Sequence, residues 1–398
     1  MQLLSDRIRS IPESATLAMA AKAREMKENG IEVISLSLGE PDFKTPEHIQ
    51  AGAIEAIHSG KYFSYPPVNG YPDLRQAIAD KFKDDNNLDY SPDQIVVSNG
   101  AKQSIANVFM ALLSPGDEVI ILTPYWVSYS AMVLLAEGKP VFVCGTLEND
   151  FKATAEQIKE AITEKTKAII FSSPCNPTGS VFTKQELEAI ASVLEKRKDI
   201  IVIADEIYEM INFTGKHESI GAIDGMLERT VTVNGFSKGY AMTGWRVGYI
   251  GAPLWLAKAA GKMQGQYTSG NSSIAQRAAY TALTSSKQPS VEMAQAYEKR
   301  RSLVFDLLEA IPGFNVNMPQ GAFYFFPNVS HYIGKSSASV KINSTNDLCL
   351  YLLKDSKVSL VTGEAFGDPR CLRLSYAASE HDLRNALARI KESLAKLS

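Results

Sequence analysis

The chain has 398 residues, 45% apolar and 21% charged, with 41 Lys plus Arg against 44 Asp plus Glu and a formal net charge of −3. That length is more than one hydrophobic core usually sustains, so two domains are expected, and the near balance of charge excludes the basic footprint of a nucleic-acid or anionic-membrane binder. With no run of about 18 apolar residues to span a bilayer, Asp6 and Arg7 where a secretory leader needs its apolar stretch, and four scattered cysteines without zinc spacing, a cytoplasmic protein with free thiols is expected.

In chain order, Ser14 reads as the N-cap of a helix through Leu17–Lys27 that stops at Gly30. Glu32–Leu38 is extended and enters the turn Gly39-Glu40-Pro41-Asp42. From Asp73 onward, helix-period and strand-period segments alternate: helix over Leu74–Asp84, strand over Gln94–Ser98, helix over Lys102–Leu113, strand over Glu118–Leu122, helix over Trp126–Ala136 and strand over Pro140–Cys144. Ala168–Ser172 and Ile200–Ala204 are unbroken apolar runs flanking a helix over Lys184–Arg197, and Thr230–Asn234 and Arg246–Ile250 are two further strands. Strands without polar alternation are buried on both faces, which predicts an α/β unit with a mainly parallel sheet covered by helices. After Ser285 the pattern changes to a long charged helix (Val291–Ile311), strands over Ala322–Phe326 and Leu372–Tyr376, and a closing helix from His381, a smaller α+β unit. The expected division is an N-terminal arm (1–47) packing with the small domain, a large domain (48–285) and a small domain (286–398).

No GxGxxG, GxxxxGK[ST] or G-x-S-x-G is present, and the five histidines form no HExxH pair, so no metal site is expected. The densest cluster is Asn234 to Gly248, with Lys238 between two strands. A lysine in a partly desolvated crevice loses its proton more easily, and the neutral amine attacks aldehydes; Ser237 and Arg246 are placed to bind a phosphate. Asp205 ends the apolar run Ile200–Ala204, followed by Glu206 and Tyr208. A carboxylate there requires a cationic partner, for which a protonated pyridine nitrogen qualifies; the alternative is an N-cap for the next segment. Ser98-Asn99-Gly100-Ala101-Lys102-Gln103 leads a strand into a helix, where free N–H groups suit phosphate. Asn176, in Ser173-Pro174-Cys175-Asn176-Pro177-Thr178-Gly179, projects a donor into the crevice. Trp126 either packs in the core or stacks on a flat ligand.

Together these segments resemble the class I aminotransferases of the fold-type I pyridoxal-phosphate enzymes over nearly the whole chain, nearest the bacterial aspartate aminotransferase branch. The likeness runs through Ser14-Ala15-Thr16, Gly39 to Phe43, Pro124 to Tyr129, Asn176 to Gly179, Asp205 to Tyr208 and Met242 to Arg246. The resemblance implies pyridoxal 5'-phosphate carried by Lys238 as a Schiff base, with Asp205 on the pyridine nitrogen, Asn176 and Tyr208 on the phenolic oxygen and Trp126 on the ring. Ala101, Lys102, Ser237 and Arg246 would line the phosphate, joined by Tyr65 of a partner subunit. Arg373 would clamp the substrate α-carboxylate with Gly39 and Asn176 assisting. A homodimer follows by analogy.

The activity implied is transfer of an amino group from an L-amino acid, with aspartate preferred, to a 2-oxo acid such as 2-oxoglutarate. Gln264 to Ser269 holds no arginine for a second carboxylate, whereas Lys102 and Thr16 match residues that serve it in the resembled branch. Lys102 could instead serve the phosphate, and Thr16 could simply fill the first turn of its helix. The alternatives are an aromatic, branched-chain or prephenate-type aminotransferase, against the last of which Pro12-Glu13 stands where a lysine is usual. A lyase or synthase on the same fold would share the cofactor residues, and a non-enzymatic regulator would need a DNA-binding segment.

Overall fold

The computed structural model describes residues 3–11, 13, 15–337 and 340–398. Its strands are β1 (Ile34–Ser35), β2 (Ile95–Ser98), β3 (Glu118–Thr123), β4 (Lys139–Cys144), β5 (Thr166–Ser172), β6 (Ile201–Asp205), β7 (Thr230–Gly235), β8 (Gly248–Gly251), β9 (Tyr324–Phe325), β10 (Val358–Ser359), β11 (Val361–Thr362) and β12 (Leu372–Ser375). The helices are α1 (Asp6–Arg9), α2 (Ala15–Glu28), α3 (Glu47–His58), α4 (Pro72–Asn86), α5 (Ala101–Leu112), α6 (Ser128–Leu135), α7 (Ala155–Ala161), α8 (Lys184–Leu194), α9 (Leu254–Tyr267), α10 (Ser273–Thr284), α11 (Gln288–Glu309), α12 (Thr345–Asp355) and α13 (Glu380–Leu394).

Seven strands form one sheet in the order β2-β8-β7-β6-β5-β3-β4, parallel throughout except for β8, which runs antiparallel to both β2 and β7. Every residue of β2, β3, β6, β7 and β8 is buried, because helices cover both faces; only β4, at one edge, exposes part of its length. The mainly parallel α/β sheet read from unbroken apolar runs is therefore what forms. A second, antiparallel sheet joins β11, β12 and β9, while β1 pairs in parallel with β10. Its core includes Phe323, Phe325, Leu372 and Leu374, together with Met19 and Ala23 from α2.

Three expectations need correction. Trp126 precedes α6 rather than opening it, and Arg246 lies two residues before β8 at φ +56, a left-handed conformation that breaks the strand. The helix expected over Lys184–Arg197 ends at Leu194, and the N-cap assigned to Ser14 lies outside the described residues. Helices α3, α7, α9, α10 and α12 had no clear signature in the sequence. Several carry small residues for close packing: a Cβ on Gly52 of α3 would stand 2.2 Å from Thr281 Oγ1 of α10, and one on Gly261 of α9 would stand 2.3 Å from Asn69 Oδ1. Small residues blur the apolar stripe that marks a helix in sequence.

Candidate active site

The parallel strands end on one side of the sheet, where their following turns converge. Trp126 follows β3, Asn176 follows β5, Asp205 closes β6 and Lys238 follows β7. Because β8 is antiparallel, its first residue Gly248 lies beside the ends of β7 and β2, pairing with Gly235 and Ser98. That brings Arg246 and the start of α5 to the same side.

Asp205 is buried, receives Tyr129 Oη at 2.6 Å and the Ile207 N–H at 3.3 Å, and has no ion-pair partner among the described residues. Burial pushes its carboxyl up to about 6, against the two hydrogen bonds that favour the anion. One carboxylate oxygen takes a local N–H in a turn while the other meets a distant tyrosine. No helix follows Asp205, however, so it is not a helix cap.

Lys238 is half-buried, with Nζ donating to Gly39 O at 2.5 Å and lying 5.7 Å from the Tyr208 ring centroid and 6.0 Å from that of Phe323. Burial lowers its ammonium to about 8; Glu40 opposes the shift, while Arg373 and Arg246 deepen it. A lysine so placed is partly neutral near physiological pH.

Arg373 is 2% exposed and donates Nη1 to Asn176 Oδ1 at 3.0 Å and Nη2 to Ser37 O at 2.5 Å, with its guanidinium over the Tyr324 and Phe366 rings. Since the Asn176 oxygen is occupied, its amide nitrogen remains available as a donor. Tyr208 Oη and Tyr324 Oη share a hydrogen bond at 2.6 Å.

On the other flank, Gly100 at φ +81 turns β2 into α5. A Cβ there would stand 2.5 Å from Arg246 Nη2, and one on Gly248 would stand 2.1 Å from Ala101 N. Only glycine permits these approaches, which draw the Arg246 guanidinium against a helix start whose first N–H groups lack intrahelical acceptors. Lys102 Nζ lies 4.9 Å from the Trp126 ring centroid, and burial together with Arg246 lowers its pKa. Trp126 also meets Tyr129 edge to face. Ser237 is buried in the turn beside Lys238.

Two expected residues stand apart. Tyr65 is 95% exposed, and Thr16 is half-buried on the first turn of α2 without a hydrogen bond to the other site residues. Conversely, the sequence reading assigned no role to Tyr129, Tyr324, Phe323, Ser37 or Asn271. Tyr129 lies three residues after Trp126 in the Pro124-to-Tyr129 segment, yet nothing local links it to Asp205.

Behind Asp205 lies a second buried polar group, in which Glu206, Glu209 and His217 place ligand-type atoms within 4.8 Å of one another. Lys81 Nζ pairs with Glu209 and donates to Asn86 Oδ1 at 2.6 Å, so an ammonium already neutralises the cluster. Burial works against the His217 imidazolium, but Glu206 at 3.0 Å and Glu209 together outweigh it and raise the pKa.

A family model described as "Aminotransferase class I and II" matches residues 31–390. The chain is 44% identical to the aspartate aminotransferase of Bacillus subtilis, covering 99% of this chain and all of that protein. It is 45% identical to a probable aspartate/prephenate aminotransferase of Rhizobium leguminosarum, covering 98% of each. The crystal structure of the aspartate aminotransferase from Rhizobium meliloti superposes with a TM-score of 0.96 at 42% identity over the full length of both chains.

Proposed function

The chain belongs to the class I and II aminotransferases, and from that premise we propose that it transfers the amino group of L-aspartate to 2-oxoglutarate with pyridoxal 5'-phosphate held at Lys238. The observation that carries the reading is a pair of groups on adjacent strands: a buried carboxylate without an ion-pair partner at the end of β6, and an amine lowered to about 8 after β7. The cofactor's chemistry fits them. Its protonated ring nitrogen supplies the cation Asp205 lacks, its aldehyde suits a neutral lysine, and its phosphate suits the Arg246 guanidinium beside the glycine-lined start of α5. Among the described residues, Arg373 Nε, Asn234 Nδ2 and Ser98 Oγ are buried without partners and leave polar capacity for a ligand.

The cofactor, when bound, supplies a carbonyl that captures amino groups and a ring that accepts electrons from the substrate's Cα. The chain supplies the rest. Arg373, held flat between Asn176, Ser37 and two aromatic rings, grips the substrate α-carboxylate in fork geometry. Lys238 Nζ takes the Cα proton and gives it back. Asp205 stays anionic through its bond from Tyr129. Asn176 Nδ2 and Tyr208 Oη orient the phenolic oxygen, Trp126 covers the ring, and Ala101, Lys102, Ser237 and Arg246 hold the phosphate. Lys102, over Trp126, also serves the side-chain carboxylate of aspartate, with Gly39 and Thr16 lining the substrate side. Tyr65, fully exposed in its own protomer, reaches the phosphate of a partner in a homodimer. We divide the chain into an arm (1–47), a large domain (48–285) and a small domain (286–398), and assign it to the cytoplasm.

The test is spectroscopic. Protein reconstituted with pyridoxal phosphate should show a visible band that aspartate abolishes and 2-oxoglutarate restores, and Lys238→Ala should bind cofactor without turning over. Bleaching by aromatic or branched-chain donors but not by aspartate would overturn the substrate assignment, and loss of the amino group as ammonia would point to a lyase. Prephenate, which the name of the Rhizobium leguminosarum relative also carries, belongs in the same screen as an acceptor.

A further inference from the structure

Two segments of the phosphate side meet at one side chain outside them, and we infer that Asn271 is a positioning residue that holds the cofactor's phosphate cradle in shape; this rests on the reading of that turn as a phosphate site. Asn271 is 1% exposed. Its Nδ2 lies 3.0 Å from Ser98 O, 2.8 Å from Asn99 Oδ1 and 2.7 Å from Arg246 O. Two of the three partners are backbone carbonyls, which only accept, so the nitrogen and not the oxygen must face them.

The partners are the pieces that have to stay in register. Ser98 ends β2, Asn99 opens the turn into α5, and Arg246 keeps a left-handed backbone that a non-glycine residue retains only when its surroundings hold it. Arg246 Nη2 lies 3.4 Å from Asn99 O, so the guanidinium and Asn271 bridge the same two segments from different sides. Asn271 is itself anchored. Its carbonyl accepts Gln276 Nε2 at 2.8 Å, Gln276 Oε1 accepts the Tyr71 N–H at 2.9 Å, and the next residue, Ser272, caps α10. Asn271 Oδ1 is buried without a partner. Leaving an acceptor unpaired costs stability, so the amide is kept there for the work of its nitrogen.

The experiment compares the dissociation constants of pyridoxal phosphate and of pyridoxal, which lacks the phosphate, for the full-length protein and its variants. The ratio of the two reads the cradle and cancels effects common to both ligands. Asn271→Ala should weaken pyridoxal phosphate about 10-fold, the loss of one or two hydrogen bonds, and change pyridoxal less than about twofold. Asn271→Asp, which sets a carboxylate against two carbonyls and near the phosphate, should weaken pyridoxal phosphate by roughly 100-fold. Asn271→Ser keeps a small donor and should recover part of the ratio, and it carries the test if the alanine variant does not fold. An unchanged ratio in the alanine or serine variant would overturn the inference and leave Asn271 a structural residue. Wild-type protein that binds the two ligands equally would instead overturn the phosphate reading itself.

Discussion

Burial and four neighbouring charges set the titration of Lys238, and the apoprotein makes that measurable. An ordinary lysine at about 10.4 is roughly 0.04% neutral at pH 7. Lowered to about 8, Lys238 is about 9% neutral, roughly 200 times more of the reactive amine. Covalent capture of an aldehyde needs the neutral form, so its rate should rise about tenfold between pH 7 and pH 9 with a midpoint near 8. Glu40 and Asp205 raise the lysine, while Arg373 and Arg246 lower it; Glu40→Gln should move the midpoint down and Arg246→Gln should move it up. Stopped-flow absorbance with pyridoxal reads this without the phosphate contact of Arg246, with Lys238→Ala as the blank. The same shift bears on stability. The folded pKa lies below the unfolded value, so the unfolded chain binds more protons between pH 8 and 10.4, and apoprotein stability should rise with pH across that window. At pH 7 the buried lysine costs about 3 kcal/mol, and Lys238→Met should recover up to that amount. A wild-type midpoint near 10.4, or one that neither charge variant moves, would refute the reasoning.

Lys102→Ala should lower kcat/KM for aspartate about 10- to 150-fold, the loss of one hydrogen bond to a charged group, and leave phenylalanine nearly unchanged; an equal loss for both donors would assign Lys102 to the cofactor. Tyr129→Phe removes a bond that favours the Asp205 anion, so its pKa should rise from about 6. In the cofactor-free protein, where no pyridinium pairs with Asp205, the carboxyl's infrared absorption should titrate about 1–2 pH units higher than in wild type. Lys81→Met leaves Glu209 buried without its ammonium and should cost about 3–5 kcal/mol in urea denaturation of the apoprotein.

The strands and the turns that carry the chemistry could be read directly. Ile200–Ala204 announces a strand covered on both faces because five apolar residues in a row leave no side for water, and Asp205 at its end is conspicuous for the same reason. Gly235, Gly239 and Gly248 around Lys238 mark a turn under close approach. Helices rich in small residues escaped, since alanine and glycine contribute little to an apolar stripe; α9 and α10 are legible only once Gly261 meets Asn69 and α3 meets Thr281.

By itself, then, the sequence determined the local features: apolar runs, breaks, caps, and residue types whose spacing along the chain marks them for chemistry. Only the tertiary structure decided who meets whom. Lys238 reaches the carbonyl of Gly39, Arg373 finds Asn176 and Ser37, Tyr129 donates to Asp205, and Asn271 gathers Ser98, Asn99 and Arg246. Each of these contacts spans at least 25 residues, most of them far more, and those of Tyr129 and Asn271 depend on the order β2-β8-β7-β6-β5-β3-β4. Strand order is settled by which apolar faces bury together across the whole sheet, a global balance that no window of the sequence contains.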